Sequence, residues 1–248
     1  MISSESAQRA DVFLVENGFA ASRAEAQAAI DAGGVSADGR VLTRSSQTLR
    51  QGVDISYRKA HPYVSRGGIK LAAALDHFEL SPEGRVCLDI GASTGGFTEV
   101  LLLRGATRVY AVDVGHGQMN PRLAKDPRVV KFEGLNGRDL TTRQISQTPT
   151  AIVADVSFIG LKLVLPAALT LAGQGTFLIT LVKPQFEVGR DQVGRGGLVK
   201  DEAAQESAVD SIQEWLNQQP GWKVLGHIPS PITGGDGNRE FLLAAVKS

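Results

Sequence analysis

From Arg85 onward, short runs that are apolar throughout alternate with blocks whose apolar residues recur at helical spacing. VCLDIG, RVYAVDVG, RVVKFEG, TAIVADVSF and GTFLITLVKP read as strands, and TEVLLLRG and LVLPAALTLAG between them read as helices. Strands apolar on both faces must be covered on both faces, so this pattern predicts a mostly parallel sheet flanked by helices: an α/β, Rossmann-like fold. The first sixty residues are patterned differently. AQRADVFLVEN sets Ala10, Phe13, Leu14 and Asn17 on one helical stripe that stops at Gly18. Ser22 followed by Glu25 is a capping box, Ala26, Ala29 and Ile30 form the apolar face of a second helix, and Gly33-Gly34 end it. GVSADGRVLTR then has β-branched runs around Asp38-Gly39, a hairpin signal, and TLRQGVDISY supplies another strand. The pattern divides the chain into a small α+β domain over 1–60, a linker and leading helix over 61–80, and the large domain over 81–248.

Composition narrows this picture in three ways. The single cysteine, Cys87, lies in an apolar run, which leaves no disulfide framework or cysteine zinc site and fits a reducing cytoplasm. MISSESAQRAD lacks the basic and apolar blocks of a signal peptide, and no apolar run is long enough to span a bilayer, so no membrane partner is expected. Lysine plus arginine equal aspartate plus glutamate at 26 each, so a nucleic-acid partner would be held by local basic patches and not by a global field.

Ligands of doubly wound sheets bind beyond the carboxyl ends of the strands, which is where the candidate chemistry collects. Gly91-Ala92-Ser93-Thr94-Gly95-Gly96-Phe97 follows the first strand and opens a helix. The loop lacks the G-x-G-x-x-G dinucleotide fingerprint, because Ser93 occupies the third position. Gly91 to Gly95 match G-x-S-x-G literally, but a hydrolase elbow also needs a later acid and histidine, and only His227 comes late enough. S-adenosylmethionine is the third reading: Asp113, ending VYAVD about twenty residues on, stands where an acid meets ribose hydroxyls. Asp155 and Lys183 end two further strands, and Glu240 opens the last one.

Two resemblances join these residues. Arg9-x-Asp11, Gly18, Ser22-Arg23, Ala26, Ile30, Gly33, Val35, Gly39 and Val41 follow the order of the RNA-binding domain first seen in ribosomal protein S4. That resemblance implies RNA contacts through Arg9, Ser22, Arg23, Arg40 and Arg44, with Arg66 beyond the domain, although residues 1–60 carry seven basic and seven acidic side chains. GASTGGF, Asp155, Lys183 in LVKPQFE and Glu240 in GNREF, with Lys70 in SRGGIKL ahead of them, match the lysine, aspartate, lysine, glutamate tetrad of the FtsJ-like ribose 2′-O-methyltransferases. Joined to the front domain, the whole resembles the TlyA family, called hemolysin A in older descriptions.

The family resemblance implies S-adenosylmethionine-dependent methylation of a ribose 2′-hydroxyl, that of a cytidine in ribosomal RNA, with no stable protein partner and no metal. Lys183 is implied as the base or hydroxyl-orienting group, with Lys70, Asp155 and Glu240 positioning it. Gly91, Ala92, Ser93, Thr94, Gly95, Gly96, Phe97, Asp113 and Asn136 are the expected cofactor residues. Phe158 is expected in the core, with stacking on a base or the cofactor as the alternative, and residues 186–200 as a flap over RNA or an unstructured surface loop. The short terminal segments suggest 23S rather than 16S RNA as substrate. Two other functions compete: a base amino-methyltransferase, for which Asp155-Val156-Ser157-Phe158 lacks the expected prolines, and a non-catalytic RNA-binding protein. The pore-forming hemolysin of the older name requires membrane-inserting segments.

Overall fold

The computed structural model describes residues 7–248, which form two compact units, one ending at Pro62 and the other spanning Tyr63–Ser248. The boundary cuts the stretch 61–80 expected as linker and leading helix: from Tyr63 on, it belongs to the second unit.

The first unit contains β1 (Gln8–Arg9), α1 (Ala10–Glu16), α2 (Arg23–Asp31), β2 (Val35–Ala37), β3 (Arg40–Val41), β4 (Thr48–Leu49) and β5 (Ile55–Tyr57). Strand β2 pairs with β3 across the Asp38-Gly39 turn and with β5 on its other side. Asp38 and Gly39 both take positive φ, as the tight hairpin demands. The stretch TLRQGVDISY divides into β4, which pairs with β1, and β5. Ala10, Phe13 and Leu14 of α1 pack on Ala26, Ala29 and Ile30 of α2, while Asn17 is exposed at the helix end. Ser22 caps α2 by accepting the Glu25 backbone N–H at 3.2 Å, and Glu25 reaches back to the Ala21 N–H.

The second unit contains α3 (Gly67–His77), β6 (Val86–Ile90), α4 (Gly96–Leu103), β7 (Arg108–Asp113), α5 (Pro121–Ala124), β8 (Val129–Glu133), β9 (Ala151–Ala154), α6 (Leu161–Leu171), β10 (Phe177–Val182), α7 (Pro184–Glu187), α8 (Glu202–Asn217), β11 (Trp222–Pro229) and β12 (Phe241–Lys247). Seven strands form one sheet in the order β11-β12-β10-β9-β6-β7-β8. The five strands β6 to β10 run parallel, with β8 at one edge, and β12 is antiparallel to both of its neighbours. Alternate side chains go to opposite faces. Leu88, Ile90, Ile152, Leu178 and Leu243 meet α6 and α8, while Cys87, Val109, Val153, Ile179 and Leu242 meet α3 and α4. Strand order reverses between β6 and β9, so the connections that follow their carboxyl ends part to opposite sides and leave a crevice, the usual ligand position of such sheets.

Candidate active site

The glycine loop follows β6 at that crevice. Gly91 has φ +82°, and a Cβ there would lie 2.2 Å from the Asp155 carbonyl oxygen, so only glycine lets the ends of β6 and β9 approach this closely. Gly91→Ala is expected to destabilise the fold by at least roughly 1–3 kcal/mol through backbone strain alone and to weaken cofactor binding. Thermal unfolding with and without S-adenosylmethionine checks this; an unchanged melting temperature would contradict it.

A cavity of about 960 Å³ opens in front of the loop, near the upper end of ligand-pocket sizes. Four of the nine expected cofactor residues line it: Gly91, Ser93, Asp113 and Asn136. The other five build its support. Ala92 and Phe97 are buried, Gly95 takes φ +95° at the start of α4, Gly96 packs against Ser65, and Thr94 is exposed. Asp113 accepts the Ser93 N–H at 2.8 Å and the Gly115 N–H at 2.7 Å, which ties the glycine loop to the end of β7. Behind the loop, Asp89 of β6 is fully buried; burial pushes its carboxyl up to about 7, and the Thr98 hydroxyl donates to it at 2.6 Å. Asp89 was not among the sequence-derived candidates, and its signal was a charge inside an otherwise apolar strand.

The residues fit S-adenosylmethionine: Asp113 offers a carboxylate to hydroxyls, and Val114 and Leu163 expose apolar surface on the wall.

Lys70, Asp155, Lys183 and Glu240 come together as two ion pairs. On α3, Lys70 shares a stripe with the buried Leu71 and Ala74, and a buried lysine needs a partner. Its Nζ lies 2.5 Å from Glu240 Oε2, with the two side chains 9% and 4% exposed. Lys183 Nζ lies 2.6 Å from Asp155 Oδ1 and donates to Ser157 Oγ at 2.8 Å. Sheet register brings the two pairs to one place: Thr180 of β10 stands beside Ala154 of β9 and Val182 stands opposite Phe241 of β12, so Asp155, Lys183 and Glu240 leave the same edge of the sheet together. Ser157 is a partner that sequence reasoning passed over, although it stands two residues after Asp155 in DVSF.

The segment VSRGGIKL holds α3 against the glycine-loop helix. A Cβ at Gly68 would collide with the Tyr63 ring, and one at Gly96 would lie 2.2 Å from Ser65 Oγ. Glu99 on α4 accepts the Val64 N–H at 2.5 Å and pairs with Arg122. The two glycines therefore serve close packing that sets the position of Lys70; neither has a positive φ.

Two expectations are corrected. Phe158 is 91% exposed, with φ +65°, and lies 5.2 Å from the Phe186 ring; it is not a core aromatic. The short turn after Asp155 leaves it no sheet neighbour to pack against. Residues 186–200 are not an unstructured loop. They include two short 3₁₀ turns and are fastened by Asn238, whose Oδ1 accepts the Val199 N–H at 3.0 Å and whose Nδ2 donates to the Gly197 carbonyl at 2.9 Å.

In the first unit, three of the expected RNA contacts have a structural use. Arg9 and Arg23 both pair with the buried Asp11, whose carboxyl is held down at about 2, foremost by the Arg9 hydrogen bond. Ser22 is engaged as the α2 cap. Arg40 and Arg44 are exposed and form no ion pair among the described residues, as is also true of Arg66 in the second unit.

Comparison with known proteins agrees with this architecture. The family model described as FtsJ-like methyltransferase matches residues 63–247, and the S4 domain model matches residues 8–55. A 16S/23S rRNA (cytidine-2′-O)-methyltransferase TlyA from Mycobacterium tuberculosis is 45% identical over 239 residues, covering 95% of this chain and 88% of that protein. A 23S rRNA (cytidine-2′-O)-methyltransferase TlyA from Campylobacter jejuni is 34% identical over 187 residues, 75% of this chain and 72% of that one. A solved chain from Streptococcus thermophilus that carries a hemolysin name superposes with a TM-score of 0.77 at 38% identity, covering 99% of this chain and 90% of that chain.

Proposed function

We infer the reaction from one premise: the chain belongs to the FtsJ-like methyltransferases, in their TlyA family, and carries an S4 domain ahead of the catalytic fold. We propose that it methylates the ribose 2′-hydroxyl of a cytidine in ribosomal RNA. The observation that carries this is the convergence of two lysine–carboxylate pairs, one buried and one half-buried, beside a cavity floored by the glycine loop.

A ribose hydroxyl is a weak acid and a weak nucleophile, so alignment and the handling of one proton are what a protein must supply. When bound, S-adenosylmethionine supplies a methyl group already activated by its sulfonium. Gly91, Ser93, Asp113 and Asn136 would hold it. Lys183 Nζ, braced by Asp155 and Ser157, is the atom we set against the 2′-oxygen. As the ammonium it can only orient that oxygen; to take the hydroxyl proton it must first give up a proton of its own and act as the neutral amine. Lys70 and Glu240 keep the edge of β12 and the start of α3 in place beside it. Arg40, Arg44 and Arg66 are the cations we assign to RNA phosphates.

Large-subunit RNA is the substrate we favour, because 23S is the one target shared by both relatives' names. A base amino-methyltransferase would have no use for the two lysines. As for the older hemolysin name, among the described residues no helix is long and apolar enough to cross a membrane.

The test is methyl transfer from tritiated S-adenosylmethionine to ribosomal subunits and to naked rRNA, with the product mapped by ribose-sensitive reverse transcription. A ribose 2′-O-methyl on cytidine is the expected product, in 23S RNA. A methyl on a base would overturn the site assignment, and a product in 16S RNA alone would overturn the choice of subunit.

A further inference from the structure

Next to the larger cavity lies a second one of about 440 Å³, whose wall includes Lys183, Glu240, Ser157, Phe158, Gln185 and Asp236. On the reading above, the ribose must enter here, because Lys183 is on this wall, and the attached base then comes to lie against the same surface. The exposed Phe158 ring and its neighbour Phe186 give that surface an aromatic face suited to any base. Selection among bases must come from polar edges, and the cavity has a conspicuous one.

Asp236 is exposed on this wall. Partial burial pushes its carboxyl up, but the Asn238 backbone N–H, the Asn238 amide and the Gln185 amide outweigh this and hold it below the usual range. It therefore presents acceptors only. Oδ2 takes the Asn238 Nδ2 at 2.8 Å and the Gln185 Nε2 at 3.0 Å, whereas Oδ1 takes only the Asn238 backbone N–H at 3.1 Å and keeps a lone pair. The bond to a carboxylate also settles which way the Gln185 amide points: its nitrogen faces Asp236, and its Oε1 is left without any hydrogen-bond donor. Asn238, 2% exposed, is locked between this loop and residues 197–199, so Asp236 sits on a braced support. Gln185 Oε1 is itself buried, so the acceptor that this edge of the cavity presents and the protein does not saturate is Asp236 Oδ1.

We propose that Asp236, aimed by Gln185 and Asn238, reads the exocyclic amino group of the target base. Cytosine brings an N–H to that position; uracil brings a carbonyl oxygen, which would face the carboxylate lone pair against lone pair. A carboxylate accepting from the cytosine amine is an established mode of base readout, and one such contact discriminates by roughly tenfold to a hundredfold. The feature separates cytosine and adenine from uracil and guanine and does not choose between the first two. This inference rests on the ribose-methylation reading and adds to it the residue that selects the base.

The experiment compares an rRNA fragment carrying cytidine at the mapped position with the same fragment carrying uridine there, under single-turnover conditions. The wild-type protein is expected to favour cytidine by about tenfold or more. Asp236→Asn, which turns one acceptor into a donor, should bring the cytidine-to-uridine ratio close to one, with S-adenosylmethionine affinity by calorimetry unchanged. Gln185→Ala should lower the ratio to a smaller extent. A ratio within one preparation is insensitive to the fraction folded, and Gln185→Ala keeps the test alive should Asp236→Asn fail to fold. Equal rates on both fragments for the wild type, or an undiminished ratio in both variants, would overturn the base-reading role while leaving ribose methylation intact. Absence of methylation of any RNA by the wild type would remove the underlying reading as well.

Discussion

Lys183→Ala is expected to lower methyl transfer to ribosomal RNA by on the order of 10²–10⁴-fold, the usual contribution of a positioned proton-transfer group. The affinity for S-adenosylmethionine should stay within about twofold, because Lys183 belongs to the second cavity wall and is absent from the lining of the first. Lys183→Arg is the sharper variant. Guanidinium keeps the charge opposite Asp155 and can still donate to Ser157, but it does not release or take up a proton near neutral pH. If the Lys183→Arg protein retained near-normal turnover, Lys183 would be an orienting cation and not a proton acceptor. If the alanine variant did so, the assignment of the reaction to this site would fail.

The second large effect concerns stability. Lys70→Ala leaves Glu240, 3% exposed, as a carboxylate without its cation. Breaking one partner of a buried ion pair costs about 3–5 kcal/mol, which for a unit of this size lowers the melting temperature by roughly 6–20 °C. The double variant Lys70→Met, Glu240→Leu removes both charges and should recover most of that loss, because the attraction within such a pair does little more than offset the desolvation of its members. Its activity should remain low. That combination of recovered stability and missing activity would separate the pair's role in the site from its role in the fold. A Lys70→Ala protein that melts within about 2 °C of the wild type would show that water reaches Glu240 and that the pair is not buried in solution.

Much of the site was legible before any coordinates because strand ends are marked in sequence. VCLDIG, RVYAVD, TAIVAD and FLITLVK each end an apolar run on a charge or a glycine, and parallel sheets deliver such ends to one edge. The S4-type front unit was legible for a different reason. Its capping box, its Asp38-Gly39 hairpin and its helix-ending glycines are local signals, readable within a few residues. Phe158 was misjudged because hydrophobicity alone places an aromatic inside; only the positive φ and the short turn after Asp155 show that the ring has nowhere to pack. The loop 186–200 looked unstructured because its composition is rich in glycine and charge, and the side chain that fastens it, Asn238, lies some forty residues away.

By itself, the sequence determined the alternation of the central strands with their helices and the position of the glycine loop at the first strand's end, which follow from periodicity and from residue types at element ends, properties of short windows. Lys70, Asp155, Lys183 and Glu240 were singled out as a set by the family resemblance. Only the tertiary structure decided how the four divide into pairs, Lys70 with Glu240 and Lys183 with Asp155 and Ser157. Partners 170 positions apart meet because β12 lies antiparallel to β10 with Phe241 opposite Val182, and because Gly96 lets the start of α3 approach α4 while Gly68 makes room for the Tyr63 ring. The same register and packing aim VSRGGIKL, set Asp236 on the wall beside Lys183, and leave four of the nine expected cofactor residues facing the cavity while the other five hold the loop in shape. Register and close approach are relations between distant segments, and no local pattern encodes them.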